Sequence, residues 1–451
     1  MHGTLDTIVA QSTASGQSAL SLIRLSGDLC PHLVRTLFGK TPAPRKATYA
    51  QYQSCQGTPL DDVIYTFFPK GASYTGEPML EISCHGNPLI VQKILSDLLE
   101  RDCRLAEPGA FTKRAFLNQR IDLSQAEAVA DIIHARSEQA LKVARNQLQG
   151  SLSHKINHWT EQLLQIMAEV EAYIDFPEED LPLNDPQGPL QRLQKLQADF
   201  RELAHTSRYQ TLLQDGIKTV ILGSPNVGKS SLLNWLTGED RALVSDQPGT
   251  TRDFIRERIW IDPFCLQIID TAGIHKTASP LEQQGIANSV ALLEKADYYL
   301  WVLDLTQPLP QLSPTLQESL EKKPGIILGN KADLAPNCPP PDFLPTKPHA
   351  QISVLHAIGL DPFKKLWKKD LEEKLFESQQ DQLLVNTRHA QALQQASAFL
   401  QQASQKMTQS EPTELVAADI REALHHLGEI LGKIDNERIL DKLFQTFCIG
   451  K

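Results

Sequence analysis

The spacing of apolar residues changes three times along the chain, and each change predicts a different kind of structure. Up to about residue 118, short apolar runs such as "DTIVAQ" and "MLEISCHG" have strand character and surround one helical pattern, "PLIVQKILSDLLERD". Beyond that point, long amphipathic runs such as "LSQAEAVADIIHARSEQALKVARNQLQ" lack internal Gly and Pro, and they predict helices. An alternating α/β pattern follows, and helical composition then returns.

These changes predict a multidomain α/β plus α protein. Residues 1–118 would form an N-terminal α+β domain, while residues 119–215 and 377–451 would form the two parts of one discontinuous helical bundle. Residues 216–376 would form an α/β domain that is inserted between those two parts. A chain of 451 residues is long enough for about three such domains.

Composition and charge narrow the class of protein. Hydrophobic residues make up 41% of the chain and charged residues 22%, which is the balance of a soluble globular protein. The net charge of −10 argues against a uniformly basic nucleic-acid binder, so a contact with RNA would need a local basic patch. The start "MHGTLDTIVAQ" lacks a leader pattern and no apolar run is long enough to span a membrane. We therefore expect a cytoplasmic protein without membrane contact.

The strongest chemical signal is the segment "TVILGSPNVGKSSLLNWLTG", in which a β-branched run leads into a glycine-rich turn and then a helix. In such a P-loop, backbone N–H groups surround phosphate oxygens at the N-terminus of the helix. Lys229 would neutralise charge on the β- and γ-phosphates. Ser230 would bind Mg²⁺ through its hydroxyl, together with Thr251 from a later loop.

Three further segments identify the nucleotide. "IIDTAG" would place Asp270 near the metal and Gly273 near the γ-phosphate, and "PGTTRD" would supply Thr250 and Thr251 to a loop that closes over both. In "GNKAD", the Asp333 carboxylate can accept the N1–H and the amino group of guanine, which adenine does not offer. The inserted domain is therefore predicted to be a Ras-like P-loop G domain that hydrolyses GTP. The expected GTP-binding residues are Asn226, Val227, Gly228, Lys229, Ser230, Ser231, Ser245, Asp246, Gln247, Pro248, Gly249, Thr250, Thr251, Asp270, Thr271, Ala272, Gly273, Asn330, Lys331, Asp333 and Ser353.

Two positions depart from the pattern common in switch GTPases. After "DTAG" the chain has Ile274, where many such enzymes place a water-orienting Gln. A monovalent cation near Asn226 would supply the charge that an arginine finger supplies elsewhere, although Asn226 could instead only shape the turn. Arg252 and Arg256 are the alternative fingers. In the loop "ISVLHAIGLD", Val and Leu follow Ser353 where Ala and Lys are usual, which predicts an altered nucleotide affinity with guanine specificity kept.

The combination of these motifs with "SYTGEPMLEISCHGN", "EPGAFTKRAFLNQRIDLSQAEAVADII" and "CIGK" resembles the MnmE (TrmE) family of tRNA-modification GTPases over the whole chain. The resemblance implies a homodimer, joined through tetrahydrofolate-binding N-terminal domains, that works with the flavoprotein MnmG. Such complexes add an aminomethyl or carboxymethylaminomethyl group to C5 of the wobble uridine of certain tRNAs. The carbon would come from a tetrahydrofolate, in its 5-formyl or 5,10-methylene form. GTP hydrolysis with Mg²⁺, and with K⁺ between paired G domains, would drive the cycle.

The resemblance also implies roles for individual residues. Glu282 would position the attacking water and, with Lys229, would make up the catalytic set for hydrolysis. Cys448 would take part in the modification chemistry as nucleophile or acid/base group, or would only fill the wall of the folate pocket. The expected ligands are Asn226, Ser245, Gln247 and Thr250 for K⁺, and Arg24, Glu81, Arg120 and Lys451 for the folate.

Two rival functions use similar G domains. A ribosome-assembly switch would have no use for the N-terminal signatures or for "CIGK", so folate binding would separate it from the MnmE interpretation. A dynamin-like membrane remodeller would need an apolar or basic loop facing lipid, and the sequence offers none. The MnmE interpretation is therefore favoured.

Overall fold

The computed structural model divides the chain into two compact units. One unit comprises Met1–Ile133, Ala144–Ala198 and Ala392–Lys451, and the other comprises His134–Val143 and Asp199–Gln391. The finer boundaries expected near residues 118, 215 and 376 stay predictions. The structure describes residues 6–39, 43–135, 137–175, 188–239, 256–269, 290–310, 312–335, 344–375, 383–433, 443–445, 447 and 450.

The strands and helices follow the apolar patterns of the sequence. The strands are β1 (Thr7–Gln11), β2 (Leu20–Ser26), β3 (Thr48–Gln53), β4 (Pro59–Phe68), β5 (Met79–His85), β6 (Cys103–Leu105), β7 (Ile217–Leu222), β8 (Arg256–Ile261), β9 (Phe264–Ile269), β10 (Tyr298–Asp304), β11 (Gly325–Asn330) and β12 (His349–Gln351). The helices are α1 (Cys30–Phe38), α2 (Pro88–Glu100), α3 (Ala110–Leu117), α4 (Leu123–His134), α5 (Glu138–Leu148), α6 (Ser151–Asp175), α7 (Gly188–His205), α8 (Ser207–Asp215), α9 (Lys229–Glu239), α10 (Pro314–Lys322), α11 (Leu360–Leu375), α12 (Thr387–Thr408) and α13 (Thr413–Leu431).

The long run "LSQAEAVADIIHARSEQALKVARNQLQ" forms two helices instead of one. Helix α4 ends at His134 and α5 begins at Glu138. The Ala140 N–H donates to the Ser137 hydroxyl at 3.1 Å, a bond that satisfies a free donor of the first helical turn. This local cap gives the second helix a start of its own within a pattern that is helical throughout.

The first unit contains a six-stranded sheet with the strand order β3-β4-β5-β2-β1-β6. Strand β6 pairs with β1 in parallel, and the other neighbours pair antiparallel. Apolar residues alternate along the strands, so that Ile23 and Leu25 of β2 enter a core shared with α1 and α2. Arg24 lies between them and therefore points to the opposite face, where its register partner on β5 is Glu81.

A buried arginine connects α3 with the sheet of this unit. The Arg114 side chain is only 7% exposed, and its guanidinium donates to Asp6 Oδ1 and to Glu77 Oε2, both at 2.8 Å. It also donates to the Ser26 carbonyl at 3.0 Å. Because one group bonds to β2, to the residue before β1 and to the loop before β5, it holds that loop, with Tyr74, beside the sheet.

The helices of the first unit include two long ones that pack side by side. Helix α6 buries Ile156, Leu163 and Ile166 at helical spacing, and α13 buries Ile420 and Leu427 in the same way. Apolar stripes on facing helices bury each other from water, which stabilises the pair. None of the helices in the described part of the chain is long and apolar enough to cross a membrane.

The segment near residue 450 is also fixed within the first unit. Phe444 and Phe447 pack with Leu123 and Ala126 of α4. Gly109, with φ of 69°, lies so close that a Cβ there would be 2.6 Å from the Phe444 carbonyl oxygen. The aromatic pair therefore docks against backbone that only glycine allows.

The second unit is built on a six-stranded sheet with the order β12-β11-β10-β7-β9-β8. Strand β8 pairs antiparallel with β9, and the remaining pairs are parallel. The central strands are apolar on both faces, as in "YYLWVLD", because one core lies on each side of the sheet. Parallel pairing brings the carboxyl ends of β7, β10 and β11 to one edge, where ligands bind in open α/β sheets.

Replacing Arg114 by Met should destabilise the first unit by about 3 kcal/mol, because Asp6 and Glu77 would lose their buried cation. Hydrogen exchange of the β1 and β2 amides would measure the change. Arg104 also binds Asp6, at 2.7 Å, but its side chain is 50% exposed. Arg104→Met is the matched control, with an expected loss below about 1 kcal/mol. Equal losses in the two variants would contradict the assignment of Arg114 as the buried connection.

Candidate functional site

The glycine-rich turn of the second unit joins β7 to α9 in a conformation that larger residues would not permit. Gly223 has φ of 146°, and a Cβ there would lie 2.4 Å from the Val302 carbonyl oxygen of β10. Gly228 has φ of 101°, and a Cβ there would lie 2.2 Å from Asn330 Nδ2. Both glycines are therefore required by close neighbours as well as by backbone conformation.

The side chains of this turn suit a polyphosphate. Lys229 Nζ donates to the carbonyl oxygens of Gly223 and Ser224, each at 2.7 Å, so its ammonium lies over the turn. Burial lowers the pKa of Lys229. Ser230 is exposed in the first turn of α9, where the free N–H groups and the helix dipole favour an anion. Asn226 is also exposed, in a left-handed conformation with φ of 64°.

The amide of Asn330, at the end of β11, joins two loops at the carboxyl edge of the sheet. It is 5% exposed, and its Nδ2 donates to the Val227 carbonyl at 2.8 Å. Its Oδ1 accepts the Val354 N–H at 3.2 Å. Ser353, which precedes Val354, is 1% exposed and forms a bridge with Ile358. The residue that ends β11 thus fixes both the phosphate turn and the loop after β12.

Beside Asn330, two charged residues face the same edge. The Asp333 carboxylate is 19% exposed and lies 3.6 Å from His356 Nε2. Lys331 has φ of 64°, and its Nζ is 2.5 Å from Asp304 Oδ2. Burial alone would raise the pKa of Asp304, but hydrogen bonds from Lys331 and Thr306 outweigh it and hold the pKa below its ordinary value. The Asp333 carboxylate and the Lys331 side chain therefore lie at the same sheet edge as the phosphate turn, where they suit the base of a nucleotide.

A second cluster lies on the face of the first unit's sheet that is opposite to α1 and α2. Arg24 Nε donates to Glu81 Oε1 at 2.9 Å, and the Arg24 carbon Cζ is 5.9 Å from the ring centroids of Tyr74 and Phe111. The two charged side chains are about one fifth exposed, at 18% and 23%. An ion pair beside aromatic rings suits a flat heterocycle that offers donors to a carboxylate.

Gly450 belongs to this second cluster. Its carbonyl oxygen accepts the Ser12 hydroxyl at 3.0 Å and lies 3.4 Å from an Arg24 nitrogen. With φ of 91°, it packs so closely that a Cβ would be 2.5 Å from the Gln11 carbonyl oxygen. Arg120 lies beside the loop before β5, which carries Tyr74: a Cβ on Gly76 of this loop would be 3.2 Å from Arg120 Cγ. The structure thus brings the backbone of Gly450, which precedes Lys451, to Arg24, the partner of Glu81.

Comparison with known proteins places the chain in a family. The family model described as "MnmE helical domain" matches residues 123–448, and that described as "GTP-binding protein TrmE N-terminus" matches residues 7–120. The tRNA modification GTPase MnmE of Opitutus terrae is 46% identical over 450 residues, 99% of each chain. That of Coxiella burnetii is 38% identical over 451 residues, again 99% of each chain. The chain belongs to the MnmE family of tRNA modification GTPases.

Membership of the MnmE family confirms the family prediction, the multidomain fold class and the assignment as a GTPase. The G domain of the T. maritima FeoB iron transporter also resembles part of the chain. It covers 34% of this chain and 98% of its own, with 24% identity and a TM-score of 0.25, a likeness too slight to bear on function.

Several residues predicted from the MnmE resemblance or from the motifs lie outside the described part of the chain. Their roles stay predictions, as does the role of Arg252. They are Ser245, Asp246, Gln247, Pro248, Gly249, Thr250, Thr251, Asp270, Thr271, Ala272, Gly273, Glu282, Cys448 and Lys451. The structure brings the predicted P-loop residues Asn226 to Ser231 to the same sheet edge as the predicted residues Asn330, Lys331, Asp333 and Ser353, and it pairs Arg24 with Glu81.

Sequence reasoning missed Ser12 and Asp304. Ser12 follows β1 and carries no motif, so only the position of Gly450 reveals its contact. Asp304 ends the buried strand β10, and a polar residue at that point of a parallel sheet was a usable signal.

Two other sets of polar or charged residues have the composition of binding sites, but their side chains make contacts within the protein. Among the described residues, Cys55, Asp97 and Glu100 form one group with metal-ligand spacing. Asp97 already accepts hydrogen bonds from Tyr52 and Arg101, which identifies it as structural. The basic run "KKLWKK" lies on α11, where Lys364 covers the Trp235 ring at 4.7 Å.

Gly228→Ala is expected to weaken GTP binding roughly tenfold or more, because the added Cβ would displace the Asn330 amide and strain the backbone. Gly238→Ala is the matched control in α9, the helix that follows the turn, since nothing lies within 4 Å of a Cβ at that position. This control should keep its affinity and gain up to about 1 kcal/mol of stability. Titration calorimetry with GTP and Mg²⁺ measures both variants. Unchanged affinity in Gly228→Ala would show that the contact is not needed.

Proposed function

We propose that the protein hydrolyses GTP and uses this hydrolysis to modify the wobble uridine of tRNA. The observation that carries the proposal is the Asn330 amide, which ties the phosphate turn to the loop of Ser353 in a chain of the MnmE family. GTP would bind with its phosphates at the turn and its guanine at Asp333. Relatives named as tRNA modification GTPases match almost the entire chain, which supports tRNA as the substrate.

The described residues fit the magnesium ion that GTP hydrolysis requires. Ser230 offers an exposed hydroxyl at the start of α9, and Lys229 is held over the turn by two carbonyl oxygens. The ion would stabilise charge on the phosphates, and Lys229 would neutralise the β- and γ-phosphates directly. Thr251 would be the second protein ligand of the ion, and Glu282 would position the attacking water.

A potassium ion is proposed to take the place of an arginine finger. Asn226 supports this because its side chain is exposed at the tip of the turn and offers a hard oxygen ligand. Ser245, Gln247 and Thr250 would complete the ligand set. With the ion bound between two G domains, hydrolysis would depend on dimerisation of the protein.

GTP turnover is therefore expected to be roughly tenfold or more faster in potassium buffer than in sodium buffer of equal ionic strength, since the ion would stabilise transition-state charge. Asn226→Ala should lose this response. Asn234→Ala, which changes a partly exposed Asn of the following helix α9, should keep it. Equal rates in the two buffers would contradict the potassium mechanism and would direct attention to Arg252 and Arg256.

The cluster around Arg24 is proposed to bind a tetrahydrofolate derivative, either 5-formyl or 5,10-methylene. Glu81 can accept hydrogen bonds from the amino edge of a pterin, and the partly exposed Tyr74 offers a ring surface near its partner Arg24. Arg24, Arg120 and Lys451 would bind the formyl or carboxylate oxygens. Cys448 would then lie two residues from the anchored Gly450, which supports a role for it in the modification step.

The remaining features of the proposal concern partners and location. We expect a homodimer formed through the N-terminal domains, together with the flavoprotein MnmG. The complex would install an aminomethyl or carboxymethylaminomethyl group on tRNA in the cytoplasm. These features are supported by family membership.

Glu81→Gln should weaken binding of 5-formyltetrahydrofolate roughly tenfold or more, because it removes a charged acceptor and the partner of Arg24. Glu107→Gln is the control: this residue lies in the same unit, but its side chain is 83% exposed. Calorimetry on the full-length protein distinguishes the variants. A wild-type protein that does not bind this folate would refute the folate part of the proposal and would favour a switch without covalent chemistry.

A further inference from the structure

The Asp304 carboxylate is built into the guanine end of the proposed GTP site without belonging to any motif. It ends β10, and its register partner across the sheet is Asn330. Its side chain is 9% exposed. The backbone N–H and the hydroxyl of Thr306 donate to its Oδ1 at 3.0 and 2.6 Å. The turn after β10 therefore orients this carboxylate, which leaves Oδ2 directed at Lys331.

Lys331 is fixed at both of its ends. Its backbone is left-handed, a conformation that few non-glycine residues adopt, and its carbonyl accepts the Leu334 N–H at 3.0 Å. The next residue, Ala332, donates to the Ile352 carbonyl at 3.1 Å. At the far end, Nζ is bound to Asp304 Oδ2 at 2.5 Å. Only the four-carbon stem between these two anchors, in a side chain that is 36% exposed, is left to contact a ligand.

The pairing decides what Lys331 can contribute to binding. A lysine near a nucleotide can act through its charge or through its apolar stem. Here the charge is neutralised by Asp304, and the phosphate turn has its own lysine in Lys229. Lys331 lies two residues before Asp333, whose carboxylate would accept hydrogen bonds from the edge of the base. The stem can then cover one face of that base.

We propose that Asp304 is a positioning residue for the guanine base: by binding the Lys331 ammonium, it holds the alkyl stem of that lysine against the base. This inference depends on the proposed GTP site. Asp304 itself touches no nucleotide, and its effect passes entirely through Lys331. Without the pair, the lysine stem would be free to rotate into solvent, and the base would lose a preformed wall.

A double-mutant cycle on the full-length protein tests the inference through its affinity for GDP, measured by calorimetry with Mg²⁺. Asp304→Asn should weaken GDP binding roughly tenfold in the wild-type background. In the Lys331→Met background, which keeps a stem and has no ammonium to hold, the same change should alter affinity less than about twofold. Asp297→Asn is the control. The Asp297 carboxylate precedes β10, at the opposite end of the strand from Asp304, and accepts the Lys218 N–H at 3.1 Å, so this change should leave GDP affinity unaltered.

The outcomes separate this inference from the proposed function. Equal losses from Asp304→Asn in both backgrounds would show a general structural role and would overturn the inference, as would no loss in either. A wild-type protein that binds ADP as tightly as GDP would instead refute the guanine site itself. The melting temperature without nucleotide serves as a second readout. If Asp304 acts as a positioning residue, the difference between the two backgrounds should appear in GDP affinity and be absent from the melting temperatures.

Discussion

The hydrogen bond from the Asn330 amide to the Val227 carbonyl is the contact on which the nucleotide site depends. A glycine-rich turn has little shape of its own, because its residues accept many backbone conformations. The buried Asn330 amide fixes one of these backbone conformations and connects the turn to the loop of Ser353 through hydrogen bonds. Since Asn330 ends β11, which is paired on both sides with parallel strands, the geometry of the turn is inherited from the sheet.

The first unit uses a buried charge for a similar purpose. Arg114 holds the loop before β5 against β1 and β2, and this loop carries Tyr74 to the side of Arg24. An uncharged contact could hold the same loop, but a guanidinium with several acceptors also fixes its orientation. In both units, then, a polar group that is almost fully buried fixes a loop beside a candidate binding site.

Much of this arrangement could be predicted from the sequence, because it depends on local patterns. The P-loop, the guanine motif and the strand before each of them follow one another at short range, and apolar periodicity marked β1, β5 and α2 correctly. The break between α4 and α5 was missed because Ser137 interrupts the helix without disturbing the apolar pattern. The pairing of Arg24 with Glu81 joins residues 57 positions apart and depends on the register of β2 with β5, which composition does not reveal. The contact of Asp304 with Lys331 likewise requires two strands to be aligned in space.

The contact between Ser12 and Gly450 has a consequence for the order of synthesis. These residues are 438 positions apart, so the hydrogen bond between them forms only after all the intervening residues have been synthesised. Domains that emerge first generally fold first. The sheet around β1 can therefore form early, whereas the cluster at Arg24 is completed only when residue 450 is available. A chain that is interrupted before residue 450 would carry a folded sheet with an unfinished cluster, which links the competence of this site to synthesis of the segment that contains Gly450.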